Sequence, residues 1–171
     1  RFWDMSGLGT YVQELLAAYA DLDCPVRLTC IGPRRLLDEL PENLQIDKWI
    51  DYDRPVYHPG NLLGYPYPGD VDLFHYPHYN MPLARTRRKL VNIFDLFHMI
   101  YGTTGKCVYQ RWMLRRVRWS GATVITPSHK TTEDILDMTG IPGNRIHAIP
   151  PGSGRSLPDG LVEEPGDVTK E

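Results

Sequence analysis

The chain has no apolar run approaching the roughly 18 residues that a membrane-spanning helix needs. No basic start followed by an apolar stretch marks a secretory leader. Cysteine is scarce: Cys24, Cys30 and Cys107 are the 3 present, an odd number without tight spacing. That pattern offers neither a disulfide framework nor a zinc site and predicts a reducing, cytoplasmic compartment. The formal net charge of −2 lacks the basic excess of a bulk nucleic-acid binder. No G-x-x-x-x-G-K-[ST] loop occurs, which argues against P-loop nucleotide hydrolysis. No G-x-S-x-G elbow occurs, which removes support for a serine hydrolase. There is no internal repeat.

What remains is a chain of 171 residues, 42% hydrophobic, suited to one domain with a single core. Its best clue is a pair of apolar strand-like runs that both end in His, Asp and aromatic residues. The first is Val71–His78, the second Leu90–His98. If both are parallel strands, their polar ends share the carboxyl edge of one sheet, where ligands bind in open α/β folds.

The surrounding pattern supports such a fold. Thr10–Ala20 carries Tyr11, Val12, Leu15, Leu16 and Tyr19 at helical spacing, with Thr10 or Ser6 as candidate caps. Val26–Ile31 reads as a short buried strand and Arg34–Leu40 as a brief helix stopped by Pro41. Leu44–Ile50 reads as a strand, and Asp53–Gly69, rich in Pro, Gly and Tyr, as irregular. Lys106–Trp119 is a helix with Arg111, Arg115 and Arg118 on one stripe and Tyr109, Met113 and Val117 on another. Ala122–Thr126 is a strand, Ser128 caps a helix over His129–Met138, Gly140 ends it, and Arg145–Ile149 is the last strand. Strands alternating with helices predict an α/β fold with a Rossmann-like, doubly wound, mostly parallel sheet over residues 1–152. Residues 153–171, poor in apolar side chains, read as a linker or disordered tail. The start at Arg1, with no full strand before the glycine turn, predicts that the chain is a fragment of something longer.

Several stretches carry chemistry. Gly7-Leu8-Gly9 precedes a helix, where free backbone N–H groups attract phosphate or a sugar; a plain tight turn is the alternative. Val12 stands where a dinucleotide fingerprint needs its third glycine, and Gly32-Pro33 stand where it needs an acid. His75 and His78 flank Tyr76-Pro77; contact to sugar hydroxyls suits them better than a metal, and simple packing at a strand end is the bland reading. Asp95 ends an apolar run and must face solvent or a partner. It can accept from substrate hydroxyls, orient a loop or cap a helix. The basic run Arg85–Lys89 and the arginine stripe, with Trp112 and Trp119 nearby, suit either solvent or a peripheral contact with anionic lipid headgroups.

Five segments in order resemble the amino-terminal domain of family 4 glycosyltransferases, which have the GT-B fold. Ser6-Gly7-Leu8-Gly9-Thr10-Tyr11 is similar to the family's S-G-[IL]-G-x-Y loop. Val71–Pro82 is similar to its V-D-[LV]-[FV]-H-x-P-x-[FY]-x-x-P segment, and Asn92–Leu96 in part to T-[IV]-H-D-L. Leu114–Ser128 and Ile146–Gly152 resemble the basic helix with its following strand and the closing I-x-V-I-[PN]-[PN]-G. Phe94 departs from the pattern, standing where the family carries a histidine facing the donor sugar; Tyr52–Gly69 lacks the usual helix.

The resemblance implies a retaining, metal-independent transferase without a cofactor, taking a sugar from a nucleotide-sugar donor to a saccharide or lipid-linked acceptor. It implies that Gly7, Gly9, His75, His78, Asp95 and Ser128 contact substrate, none as a catalyst. It also implies a missing carboxyl-terminal donor domain, without which this part is inactive, and no nucleic-acid partner. Two rivals stand: a non-catalytic binding remnant of the same fold, and a nicotinamide-dependent oxidoreductase domain.

Overall fold

A computed structural model describes residues 7–22, 26–55, 58–62, 64, 66, 69–82 and 88–152. The fold is α/β with parallel strands, as the alternating pattern predicts, distributed over two sheets. Helix α1 (Gly7–Asp21) opens it. Strands β1 (Thr29–Gly32) and β2 (Lys48–Asp51) form a parallel pair in which Cys30 faces Trp49 and Gly32 faces Asp51. Between them a 3-10 turn spans Arg34–Glu39, its first N–H bonded to Asp51 Oδ1 at 3.0 Å.

The second sheet has four parallel strands in chain order: β3 (Leu73–Tyr76), β4 (Arg88–Asn92), β5 (Thr123–Thr126) and β6 (Ile146–Ala148). Helices α2 (Phe97–Ile100) and α3 (Thr104–Ser120) lie between β4 and β5, and α4 (His129–Thr139) between β5 and β6. Register explains the core. Tyr76, Val91, Val124 and Ile146 are aligned across the four strands, and all are buried. Successive strand residues point to opposite faces, so this row defines one face of the sheet. Met113, Leu114 and Val117 of α3 and Ile135 of α4 belong to the same core. The alternate positions, His75, Leu90 and Thr123 in one row and Asn92, Ile125 and His147 in the next, occupy the other face.

Local chemistry sets the helix ends. Ser128 caps α4 by accepting from Thr131 N–H at 3.2 Å, and Gly140 closes it at φ +66°, left-handed backbone that glycine adopts without a Cβ penalty. The end of α3 carries two cationic donors: Lys89 Nζ to Ser120 O (3.3 Å) and an Arg145 Nη to Arg118 O (3.0 Å). Both satisfy last-turn carbonyls and complement the negative end of the helix dipole.

Some sequence expectations move. Thr10 cannot cap α1, because the helix already begins at Gly7; Ser6 lies outside the described residues, as does the tail from 153. The expected strand over Leu44–Ile50 starts only at Lys48, since Leu44 N–H closes a turn on Pro41 O. Within Asp53–Gly69, Pro59–Leu62 form a 3-10 turn, and Asn61 ties the loop together by accepting from Tyr52 Oη and donating to Pro55 O. The run Leu90–His98 is not one strand. β4 ends at Asn92, although Ile93 N–H still bonds Ile125 O at 2.9 Å, and the chain then bends into α2. Asp95 therefore sits in the loop after the strand and His98 in the short helix.

Candidate functional site

Because β3 and β4 run parallel, the residues that follow both strands meet at one edge. There a buried asparagine joins three elements. Asn92, the last residue of β4, is 2% exposed. Its Oδ1 lies 2.6 Å from His75 Nε2 on β3, and its Nδ2 donates to Tyr11 Oη of α1 at 2.8 Å. An amide oxygen only accepts, so His75 donates from Nε2. Tyr11 also packs edge-to-face on Phe94, with ring centroids 5.0 Å apart. These contacts tie α1 to the sheet.

A second group lies on the same rim. His78 packs at a tilt against Tyr79 with centroids 4.0 Å apart, and its Nδ1 accepts from Asn80 N–H at 3.2 Å. Burial pushes its pKa down to about 4; Asp95 draws it up in part, while His98 pushes it further down. His78 is thus neutral at pH 7, with Nε2–H as its donor. Asn80 in turn accepts from Tyr109 Oη of α3 at 3.2 Å. Asp95 is exposed; its Oδ1 accepts from Phe97 N–H at 2.9 Å and starts α2. Gln110, fully buried in α3, donates from Nε2 to Asp95 O at 3.2 Å, while its Oε1 has no partner. His98 Nδ1 is likewise buried without a partner.

The six residues singled out from sequence fall in different places. His75 belongs to the asparagine network. His78 and Asp95 face each other electrostatically across the β3 and β4 loops. Ser128 follows β5 on the same edge and spends its hydroxyl on the α4 cap. Gly7 and Gly9 lie inside the first turn of α1 rather than in a loop before it: Gly7 is exposed, with nothing within 4 Å of where a Cβ would project, and Gly9 is buried. Sequence reasoning missed Asn92, Tyr11 and His98 as site residues. A lone amide inside the run Leu90–Phe94 was the available signal for Asn92; Tyr11 closes the glycine-loop motif, but its partner lies 81 residues away. Among the described residues, no three His, Cys, Asp or Glu are grouped to hold a metal ion. A shallow groove of about 310 Å³ lined by Gln13, Glu14, Ala17, Glu39, Leu40 and Pro41 shares no residue with this rim.

The model of Glycosyltransferase Family 4 matches residues 5–153, a span containing every residue of the rim. The chain belongs to glycosyltransferase family 4. No curated protein and no solved structure gave a significant match to it. Its parallel α/β architecture is that of a Rossmann-like, GT-B amino-terminal domain. In this family 4 domain the ring of Phe94 occupies the place next to Asp95 and is engaged with Tyr11. No described helix of the domain is long and apolar enough to cross a membrane.

Proposed function

We propose that this domain forms the acceptor side and part of the sugar floor of a retaining glycosyltransferase. The enzyme would move a sugar from a nucleotide diphosphate donor to a saccharide or lipid-linked acceptor. Beside the family assignment, one observation carries the reading: hydrogen-bonding side chains from α1, β3 and the end of β4 meet at the carboxyl edge of a parallel sheet, with Asp95 of the following loop close enough to His78 to bias its charge. The roles divide by chemistry. The open oxygen of Asp95 accepts from sugar hydroxyls, and the imidazoles of His75 and His78 line the same contact. Gly7 and Gly9 bring the first-turn N–H groups of α1 to the acceptor or a phosphate. Ser128 acts through the helix start that it caps.

The described rim holds no Lys or Arg, and a departing nucleoside diphosphate needs positive groups or helix dipoles to stabilise it. We therefore assign the diphosphate to a carboxyl-terminal donor domain and expect this 171-residue chain alone to transfer no sugar. Domain closure would exclude water and protect the activated donor. The free thiols of Cys30 and Cys107 favour a cytoplasmic setting.

Phe94 favours a second reading, a non-catalytic domain that keeps the fold and binds saccharide without transfer. Amide-resolved NMR titration with monosaccharides and nucleotide sugars, run beside a turnover assay, tests the site. Shifts are expected at Tyr11, His75, Asn92 and Asp95 without turnover. Turnover by the chain alone refutes the division of labour; shifts confined to the β1–β2 pair refute the site. Response to saccharide with none to nucleotide sugar favours the second reading.

A further inference from the structure

Helix α3 has a composition unlike a solvated helix. It carries five basic residues and no acidic one. The whole chain nets −2, so the rest of it carries −7. One face of α3, with Gln110, Met113, Leu114 and Val117, is buried in the core. At 100° per residue the opposite face gathers Val108, Arg111, Trp112, Arg115 and Trp119, while Arg118 lies on the flank, its guanidinium against Gly140. Val108 is 60% exposed, Trp112 40% and Trp119 77%. Arg116 lies over the Trp112 ring at 5.0 Å, so cation and aromatic already share one surface. Helix α2, packed against α3, adds exposed Phe97 and Ile100, with exposed Tyr101 directly after it.

In water this arrangement is costly twice over. Arg111 and Arg115 at i,i+4, and Arg115 and Arg118 at i,i+3, repel without an acidic neighbour on the helix. Two tryptophans and a valine also stay wet. An interface that is negative outside and apolar just beneath relieves both costs. Arginine meets the headgroups, and indole rings settle at headgroup level. Nucleic acid would satisfy the arginines but not Val108 or the α2 side chains, and it would meet the −7 carried elsewhere.

We propose that the outward face of α3, with α2 beside it, docks on an anionic phospholipid bilayer and holds the domain in the interface plane. Since no described helix is built to span a bilayer, the contact is peripheral. Arg88 is exposed and adds to the charge, whereas Lys89 of the same basic run is engaged with Ser120 O. The inference uses residues apart from the sugar rim and does not rest on the transferase reading.

The test is flotation of the 171-residue chain with phosphatidylcholine vesicles, with and without about 30% phosphatidylglycerol, at about 0.1 M salt. Partitioning should require the anionic lipid and fall as salt rises. Arg111→Gln with Arg115→Gln should weaken it about 25-fold, about fivefold per charge. Trp112→Ala with Trp119→Ala should weaken it by at least about tenfold. Circular dichroism checks that the helix survives; if the tryptophan pair misfolds, the arginine pair carries the test. Equal binding to neutral and anionic vesicles, unchanged binding by the arginine pair, or capture of a single-stranded oligonucleotide with no vesicle binding would overturn the proposal.

Discussion

Replacing Asn92 by alanine removes a side chain that joins β3, β4 and α1. Two hydrogen bonds are lost, from His75 Nε2 to the Asn92 amide oxygen at 2.6 Å and from the Asn92 amide nitrogen to Tyr11 Oη at 2.8 Å. Each is worth about 1 kcal/mol net in a buried setting, so the cost should be about 2 kcal/mol. For a chain of this size that lowers Tm by about 4–8 °C. Thermal unfolding followed by circular dichroism reads the shift. A double-mutant cycle with Tyr11→Phe should give a coupling of about 1 kcal/mol, because the two changes delete the same bond. A loss under about 0.5 kcal/mol, or strictly additive effects, would refute the idea that this amide organises the rim.

Two further outcomes follow from the second group. His78 has a folded pKa of about 4 against about 6.5 when unfolded, so the unfolded chain binds more protons between those values. Stability should be full above about pH 6.5 and fall by up to about 3 kcal/mol as the pH drops toward 4, measured by denaturant titration. His78→Gln should flatten that slope, and a slope unchanged in the variant would assign the effect elsewhere. Gln110→Met deletes the bond to Asp95 O, worth about 1 kcal/mol, and also the unpartnered buried Oε1, whose desolvation costs about 1–3 kcal/mol. The variant should unfold at the same denaturant concentration or a higher one, while sugar-induced shifts around Asp95 weaken; a stability loss beyond about 2 kcal/mol would contradict this accounting.

Much of the frame was legible before any coordinates. Ser128 and Gly140 mark both ends of α4 because a capping hydroxyl and a left-handed glycine are local requirements. The buried stripe of α3 follows from helical spacing, and β5 from a short β-branched run. The run Leu90–His98 misled because burial continues past the strand: Ile93 and Leu96 are both buried, so apolar character could not tell β4 from the loop and helix after it. Gly7 and Gly9 read as a loop because glycine disfavours helix interiors, yet α1 begins with them.

Residue pattern alone therefore settled the class of fold, the order of its elements and the edge where polar groups gather. Spacing and capping act over a few residues and survive in any one-dimensional reading. Which groups meet at that edge was settled by packing. Strand register places Asn92 and His75 on the same face, and the fold carries Tyr11 to them across 81 positions of chain. The neutrality of His78 likewise comes from burial beside Asp95 and His98, an environment that exists only once β3, the loop after β4 and α2 have come together.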